Sequence, residues 1–468
     1  MYKILFLNPP FYTEETYGKF SRVGSTMPFL GLCYLAAILK RHQFDVKIVD
    51  TILLHLTMED VLKEIQAYSP DVVGITVSTL SSIRANILAQ KIKKSFPNIT
   101  LIAGGPHISE CTRAFFIQSS FDVGVIGEGE WTILELARAL RDKEPLGTVN
   151  GLLYKDQGEV VSTKPRAMEK DLDQFPFPVR ELLPPLKNYR PSALYYKRTP
   201  VTQMMTSRGC PAQCIFCDTP FGKTVRYHSP EYVIDEMILL KERFGIKEVL
   251  INDDTFVVNK QRIYEICRLM RKKNLGLTWS CNVRVNMVDY DILKEMKASG
   301  CWLIMPGVES GSQEILNLLR KGITLEQVVQ VHGWAHKLGL LTKPSFIIGN
   351  PGDTLKSIDQ TIRFAKSLRS YYPSFTLFTP FPGTPAYDMA STYGTVSQDS
   401  SRFALSTEEP SFVPFGLTEA LLKKKQKEGF QSLYFDFSMA WRHLRTINSM
   451  EDISKITKAA GMLLMGYK

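Results

Sequence analysis

Three cysteines lie close together in the middle of the chain, at Cys210, Cys214 and Cys217. Their CxxxCxxC spacing follows a predicted strand, Val201–Thr206, so a tight loop presents all three thiols at one strand end. Thiolates in this arrangement hold three irons of a cubane iron–sulfur cluster and leave the fourth iron open to a small molecule. The sequence therefore predicts a site for metal chemistry.

Zinc is the alternative metal for such a loop. Zinc usually takes four protein ligands, commonly as two spaced Cys/His pairs. The other five cysteines are scattered singly, at positions 33, 111, 267, 281 and 301. Isolated cysteines are typical of small core residues. A zinc site is therefore disfavoured, and so is a group of three thiols without metal.

The first 140 residues contain the elements of a separate domain, because short apolar runs alternate there with helical patterns. Five strand candidates with helices between them predict an α/β fold with a doubly wound (Rossmann-like) parallel sheet. Ligands of open α/β sheets bind beyond the carboxyl ends of the strands. The small or turn-forming residues at these ends are Ser78, Thr79, Gly104, Gly105, His107, Gly127, Glu128 and Gly129. We expect them to share one site.

Alternating strands and helices return after Val201 and continue to about residue 380. Six βα units predict a partial (β/α)6 barrel whose first strand leads into the cysteine loop. Before it lie a short hairpin pattern and a proline-rich stretch, which predicts a linker because proline blocks helix and central strand. Two helical patterns, Leu417–Leu444 and Asp452–Met465, predict a helical C-terminal region. The predicted domains are 1–145, 146–195, 196–390 and 391–468.

The composition is that of a globular protein, since 44% of the 468 residues are hydrophobic and 22% are charged. Disorder, collagen and coiled coil are excluded. The sequence shows no signal-peptide pattern and no run of about 18 uninterrupted apolar residues, so we expect a cytoplasmic protein. The formal net charge of +10 favours anionic ligands or a membrane surface. The excess is modest, and no nucleic-acid partner is expected.

The cysteine loop resembles that of the radical SAM superfamily in its spacing, in its place after the first strand of a βα array and in the aromatic Phe216 before the third cysteine. The resemblance covers residues from about 195 to 390. It implies that Cys210, Cys214 and Cys217 ligate a [4Fe–4S] cluster whose open iron binds S-adenosylmethionine (SAM), with Phe216 beside the cofactors. Electron transfer to SAM then releases a 5′-deoxyadenosyl radical, which is chemistry of the cofactors.

Motifs at the later strand ends follow in the order of that superfamily. The resemblance assigns Asp253 and Asp254 to the methionyl amine, Arg284 to the methionyl carboxylate, Glu309 and Ser310 to ribose hydroxyls or the amine, and Ile348 and Gly349 to the adenine. Each motif alone is also typical of a turn or a helix N-cap. Their common order favours a cofactor site.

The N-terminal region resembles the cobalamin-binding domain over residues from about 1 to 140, on the stretches Leu101–His107 and Val125–Glu130. The resemblance implies that the small residues at the strand ends contact the corrin and its nucleotide tail. A flavin or another phosphate ligand stays open as an alternative, because a doubly wound fold alone does not decide its ligand.

Many cobalamin domains carry an Asp-x-His-x-x-Gly loop whose histidine binds cobalt, but Asn8–Thr13 contains no histidine. We therefore expect cobalamin to bind without a histidine ligand. His107 follows a strand end, where it contacts the corrin or a phosphate, or only caps a turn.

Together the two resemblances imply a cobalamin-dependent radical SAM enzyme of class B type that methylates an unactivated carbon. The alternatives are oxidative cyclisation or rearrangement without methyl transfer, as in the anaerobic magnesium-protoporphyrin cyclase, and a cobalamin- or redox-sensing binding protein. A methylthiotransferase is disfavoured, because Cys33 and Cys111 lie far apart and cannot supply a second cluster motif.

The expected partners are a small-molecule or lipid-like substrate and an external one-electron donor of flavodoxin or ferredoxin type. The basic run Lys423–Lys427 leaves a peripheral membrane contact open. A solvated basic helix face is the preferred interpretation of that run.

Overall fold

A computed structural model describes residues 2–10, 26–110, 112–192, 195–371, 373–397, 399, 402–403 and 409–434. These residues divide into two compact units, one that ends at Tyr189 and one that begins at Arg190. No helix among them is both long and apolar enough to cross a membrane.

The first unit is built on one mixed sheet. Its described strands are β1 Lys3–Leu7, β2 Asp45–Val49, β3 Val72–Thr76, β4 Thr100–Gly104, β5 Val123–Val125, β6 Leu152–Asp156 and β7 Glu159–Ser162. Its described α-helices are α1 Leu30–Arg41, α2 Met58–Tyr68, α3 Ser82–Ser95, α4 Pro106–Glu110, α5 Thr112–Gln118 and α6 Glu130–Asp142. The strand order is β2-β1-β3-β4-β5-β6-β7, parallel from β2 to β5. The predicted doubly wound sheet is confirmed.

The central strands of this sheet are covered on both faces, so they are apolar along their whole length. Leu5, Val73 and Leu101 are register partners on three adjacent strands and are fully buried. β1 pairs with both β2 and β3, so the direction of strand addition reverses between β1 and β3. Ligands of doubly wound sheets bind at this switch point.

The second unit contains an open array of parallel strands. The described strands are β8 Val201–Met204, β9 Ser207–Arg208, β10 Arg226–Tyr227, β11 Glu248–Ile251, β12 Thr278–Val283, β13 Cys301–Glu309, β14 Leu341–Thr342, β15 Ser345–Ile348, β16 Ser374–Leu377, β17 Gly394–Val396 and β18 Phe412–Pro414. The described α-helices are α7 Pro230–Phe244, α8 Lys260–Lys272, α9 Tyr290–Ala298, α10 Gln313–Leu318, α11 Leu325–Leu338, α12 Leu355–Ser367, α13 Pro385–Met389 and α14 Glu419–Tyr434.

The parallel strands follow the chain order β8, β11, β12, β13, β15 and β16 across the sheet, and β14 adds a short pairing to β13. Helices on the outside begin at side-chain caps that the sequence supplies, such as Ser229 before α7 and Thr354 before α12. The predicted partial radical SAM barrel is confirmed as a curled parallel half-barrel. Its first strand, β8, leads into the cysteine loop.

Two segments differ in detail from their predicted organisation. The hairpin β6–β7 lies in the range 146–195, predicted as a linker, yet it pairs antiparallel with β5 and extends the first sheet. The region 391–468, predicted to be helical, contains the hairpin β17–β18 before its described helix α14, and residues 435–444 of the predicted helix Leu417–Leu444 lie outside the described residues. Asp452–Met465 and part of the Asn8–Thr13 loop lie outside the described residues.

Candidate functional site

The cysteine loop lines a cavity of about 400 Å³ within the second unit. Cys210 and Cys214 are buried and Cys217 is exposed. Backbone bonds fix the loop at both ends, since the Cys210 N–H donates to the Gly222 carbonyl (3.1 Å) and the Ile215 N–H donates to the Leu319 carbonyl (3.1 Å). The thiols therefore stand on a loop whose path the surrounding chain determines.

Gly209 allows the chain to turn into this loop. Its φ is +95°, a conformation that other residues rarely adopt. A Cβ at this position would lie 2.5 Å from the Thr224 carbonyl oxygen and 3.1 Å from that of Gly222. The close approach of these backbones thus requires glycine immediately before the first cysteine.

The donor set fits an iron–sulfur cubane better than a single metal ion. Within the described ranges, no three His, Cys, Asp or Glu side chains converge on one ion position. Cubane thiolates each bind a different iron, so they do not need to converge. Although Cys217 as a residue is exposed, desolvation of its thiol first, and then the neighbouring Cys214 and Cys210, raise the pKa of Cys217 to about 11, while Lys321 opposes this. Metal binding at this loop therefore releases protons.

A cationic wall faces the loop. The Arg284 Nη1 donates to Cys214 Sγ at 3.4 Å, and its Nη2 donates to the Lys321 carbonyl. The buried Nε of Arg284 has no partner among the described residues. A guanidinium is always charged and pairs well with carboxylates. Arg284 is thus suited both to a thiolate and to an anionic ligand beside it.

Glu309 and Lys321 form a buried ion pair in the same cavity. Lys321 Nζ lies 2.7 Å from Glu309 Oε1, with the two side chains 8% and 9% exposed. A Cβ at position 307 would lie 2.5 Å from the same carboxylate oxygen, so Gly307 leaves the space that the pair needs. Lys321 also stands over the Phe216 ring, 5.7 Å from its centroid. Glu309 has a φ of +72°, which is unusual for a residue other than glycine and is typical of functional sites.

The two adjacent aspartates have different surroundings. Asp253 accepts three hydrogen bonds of 2.6 Å, from the Thr206 N–H, the Thr206 hydroxyl and the Ser207 hydroxyl, and it does not line the cavity. It holds the chain that enters the cysteine loop. Asp254 lines the cavity, and burial followed by the charge of Asp253 raises its pKa.

Three more predicted residues do not line this cavity: Ser310, Ile348 and Gly349. The Ser310 hydroxyl lies 3.2 Å from that of Thr361, and Ile348 is fully buried. Gly349 has a φ of +80°, and an added Cβ would lie 3.2 Å from Leu422 Cδ2. Their assignment to ribose and adenine therefore rests on the resemblance alone. The cavity does bring together Cys210, Cys214, Phe216, Cys217, Asp254, Arg284 and Glu309.

The sequence reasoning missed Lys321, Lys343 and Tyr195, which also line the cavity. Lys343 and Ser345 occupy alternate positions along one strand direction, and so do Met305, Gly307 and Glu309. Side chains at alternate positions point to the same face of a sheet. This period of two, applied backwards along the chain from Ser345, was the signal that could have indicated Lys343.

In the first unit, the predicted residues gather at the carboxyl ends of β3, β4 and β5. The Thr79 hydroxyl lies 3.3 Å from His107 Nδ1, and the Gly127 N–H donates a hydrogen bond to Ser109 Oγ at 2.9 Å. Burial lowers the pKa of His107 to about 4. The histidine is therefore neutral at physiological pH, held between Thr79 and the edge of the Phe115 ring.

The other strand-end residues leave room for a broad ligand. A Cβ at Gly127 would meet no atom within 4 Å, and one at Gly104 would meet only Val125 Cβ, at 3.9 Å. Gly105, in contrast, has a φ of +106° and lies against the backbone of Val77. Ser78 bonds to Ser81, the Glu128 carboxylate accepts from the Glu169 N–H, and Gly129 precedes α6. This open edge of small residues fits the flat face of a corrin.

Comparisons with known proteins match both units of the chain. The family model of the radical SAM superfamily matches residues 204–365, and that of the B12 binding domain matches residues 20–137. An uncharacterized methyltransferase of Pyrococcus horikoshii is 39% identical over 83% of this chain and 83% of its own length. The cytidylyl-2-hydroxyethylphosphonate methyltransferase of Streptomyces wedmorensis is 26% identical over 87% and 85%. The anaerobic magnesium-protoporphyrin IX monomethyl ester cyclase of Rubrivivax gelatinosus is 27% identical over 81% and 68%.

Solved structures show the same fold. The radical SAM methyltransferase TsrM of Kitasatospora setae, with cobalamin and a [4Fe–4S] cluster bound, has a TM-score of 0.69 and 19% identity, covering 92% of this chain and 82% of its own. The cobalamin-dependent SAM radical enzyme OxsB has a TM-score of 0.72 and 17% identity, covering 99% and 71%.

A half-barrel with a cysteine loop and a doubly wound sheet with an open glycine-rich edge define a radical SAM enzyme with a cobalamin domain. This chain belongs to the B12-binding radical SAM family. Its cofactors are a [4Fe–4S] cluster, SAM and cobalamin. The predicted family, fold class, enzyme class and cofactors are confirmed.

Proposed function

We propose that this enzyme methylates an unactivated carbon of a small molecule that binds in the cavity of the second unit. The observation that carries the proposal is the convergence of the three thiols, Arg284 and the Glu309–Lys321 pair on one cavity of about 400 Å³. The relative at 39% identity is named a methyltransferase, and the cyclase is 27% identical, which favours methyl transfer over cyclisation.

When bound, the cluster supplies an electron, SAM a 5′-deoxyadenosyl radical and cobalamin a methyl group. Cys210, Cys214 and Cys217 would each hold one iron. Arg284 offsets the charge of Cys214 and offers its remaining donor capacity to the methionyl carboxylate. Because its Nη2 is held by the Lys321 carbonyl, the guanidinium has one orientation.

The carboxylates of the cavity would orient the rest of SAM. Glu309 uses Oε1 for Lys321, while its Oε2 lies 3.4 Å from the Ser345 hydroxyl. This second oxygen can accept from a ribose hydroxyl or an amine. Asp254 offers a further acceptor at the cavity wall. Phe216 and Met305 add apolar surface to the wall, which excludes water from a radical.

The remaining partners are part of the same proposal. We infer an external one-electron donor of flavodoxin or ferredoxin type and a cytoplasmic location. In the basic run Lys423–Lys427, Lys425 Nζ lies 2.9 Å from Asp359 and 2.6 Å from Glu428. These pairs support a packed helix face for that run, so a membrane surface or lipid-like substrate is the less favoured alternative.

The test is to follow both products of SAM in the anaerobically reconstituted enzyme with cobalamin and candidate substrates. Radical formation gives 5′-deoxyadenosine, and methyl transfer from SAM gives S-adenosylhomocysteine. Arg284→Ala should keep its iron and lose deoxyadenosine, because a displacement of about 1 Å can cost on the order of a hundredfold in rate. Arg268→Ala, at an exposed arginine paired with Glu265, is the matched control and should behave as wild type.

Each result has a distinct meaning. Deoxyadenosine without S-adenosylhomocysteine would assign the enzyme to cyclisation or rearrangement. Neither product, with SAM bound and the cluster intact, would favour a sensing protein. Unchanged deoxyadenosine formation in Arg284→Ala would show that the guanidinium does not position SAM.

A further inference from the structure

Lys343 is a buried cation in the cavity that has no acidic partner among the described residues. Its side chain lines the cavity and the residue is only 8% exposed. Its ammonium stands 4.1 Å from the centroid of the Tyr195 ring. The described residues give this ammonium no hydrogen bond and no ion pair, in contrast to Lys321, which is paired with Glu309.

A buried ammonium is costly unless it is paired. An aromatic ring stabilises a cation, but its face is only a weak acceptor for the three diverging N–H donors of an ammonium, so it satisfies the charge only in part. The backbone holds this lysine in place, because its N–H donates to the Ile304 carbonyl at 3.0 Å. The cavity wall thus carries a positive charge whose N–H donors have no hydrogen-bond acceptor among the described residues.

Lys343 and Tyr195 lie at the end of the cavity remote from the cysteine loop. The loop follows the carboxyl end of β8, whereas Lys343 precedes the first residue of β15 and Tyr195 precedes β8. Glu309 is level with Phe346 in the sheet. Lys343 comes three residues earlier, so its backbone lies about 10 Å nearer the amino ends of the strands.

The surroundings of Lys343 are those of an anion site. Ser345 and Ser374 are register partners on the adjacent β15 and β16, and both line the cavity together with Thr376. Hydroxyls and ammonium groups both donate to carboxylate and phosphate oxygens. The Ser345 hydroxyl donates to Glu309 Oε2 at 3.4 Å, whereas the Ser374 hydroxyl has no acceptor among the described residues. The methionyl carboxylate has its own cation, Arg284, which contacts Cys214 at the other end of the cavity.

We infer that Lys343, beside Tyr195, binds an anionic group of the substrate, a carboxylate or a phosphate type, with the Ser374 hydroxyl as a second donor. The inference rests on the proposed function and names its substrate class. The anion is held at the amino ends of the strands, so the reacting carbon extends from it toward the cysteine loop. The enzyme then selects substrates by a charge remote from the carbon that reacts.

The experiment measures binding of simple probes to the reconstituted enzyme, by anaerobic equilibrium dialysis. The carboxylate probes are phenylacetate, 3-phenylpropionate and 4-phenylbutyrate, each compared with its uncharged amide, and 2-phenylethylphosphonate represents the phosphate class. Wild type should bind at least one oxyanion about tenfold or more tightly than its amide, because a charged hydrogen bond replaces a neutral one. A preference for carboxylate or for phosphonate identifies the class.

The variants separate charge from shape. Lys343→Met should abolish the preference for the oxyanion, and Lys343→Arg should retain most of it. Lys337→Met is the matched control, since Lys337 stands over the Tyr290 ring at 5.5 Å and does not line the cavity. It should keep the wild-type preference. Cluster absorbance and thermal unfolding verify that each variant is folded.

Several outcomes would overturn the inference. Wild type binding the acid and the amide equally, or binding neither, would show that no anion site exists. If Lys343→Met prefers the oxyanion over the amide as strongly as wild type does, the anion site lies elsewhere. A loss of SAM affinity in that variant would assign the lysine to SAM. The proposed function fails separately, if wild type forms no deoxyadenosine from SAM.

Discussion

Replacing Gly209 by alanine should displace the cysteine loop without removing any ligand. An L-residue at positive φ costs about 1–2 kcal/mol. The new Cβ would also lie 2.5 Å from the Thr224 carbonyl oxygen, where real contacts stay beyond 3.0 Å, so backbone must move by about 0.5 Å. That backbone is held by the pairing of β9 with β10. We expect the substitution to lower the free energy of unfolding by about 2–4 kcal/mol, or by less if the loop shifts to relieve the contact.

Iron content after anaerobic reconstitution, cluster absorbance and thermal unfolding measure the effect. Gly209→Ala should bind less iron than wild type and unfold at a lower temperature. Gly245→Ala is the matched control, because Gly245 ends α7 with a φ of +65° and a Cβ there would meet nothing within 4 Å. It should cost about 1 kcal/mol and retain full iron. Equal iron and equal unfolding temperatures in the two variants would refute the reasoning.

Cys214→Ala should lose cluster absorbance and deoxyadenosine formation, whereas Cys267→Ala, at a buried cysteine outside the loop, should lose only stability. A full cluster in Cys214→Ala, measured as iron per chain, would contradict the ligand assignment. Gly104→Leu should block hydroxocobalamin binding and keep the cluster, because the new side chain enters open space at the strand end; this variant tests corrin contact better than Gly105→Leu, which strains the backbone by itself. Undiminished binding of hydroxocobalamin would place the corrin elsewhere. The pKa of His107 in the folded chain is lowered to about 4, from an ordinary value of 6.5. As the pH falls below about 6.5, the unfolded chain therefore binds a proton that the folded chain does not yet bind. Stability should therefore fall from there down to about pH 4, and His107→Gln should flatten this part of the curve in pH-dependent thermal unfolding; an unchanged slope would show that the histidine is not buried in the neutral form. Bound cob(II)alamin should give an electron paramagnetic resonance spectrum without nitrogen splitting from a protein histidine, and a nitrogen triplet would point to His107.

The parts of the site that sequence predicts well are those built from neighbouring residues. The three cysteines lie on one short loop, so their types and spacing contain the whole signal. Arg284 and Glu309 were assigned through the resemblance to the radical SAM superfamily, and both stand at the carboxyl ends of parallel strands, which meet at one edge of a sheet. The alternation of apolar runs and helical patterns predicts the parallel sheets of both units, although it leaves the strand order open.

The parts that were missed depend on contacts between distant residues. Lys343 contacts Tyr195 although three strands of the sheet lie between the strands that follow them. The sequence near either residue contains no pattern that indicates this contact. Asp253 and Asp254 are adjacent, and only the packing of Thr206 decides which carboxylate is enclosed. Gly349 packs against Leu422 of α14, a contact that no local pattern encodes.

The hairpin β6–β7 gives the first sheet a protected border. β5 is short, apolar and buried, and without the hairpin it would be an edge strand with unpaired backbone groups. Such edges promote intermolecular pairing. The hairpin moves the edge of the sheet to β7, and exposed charged residues flank its turn, Asp156 and Glu159 among them. A fragment cut at residue 145 would lose this cover and aggregate, so the cobalamin domain, when produced alone, has to extend to Tyr189, whose hydroxyl donates to Asp50 at 2.8 Å.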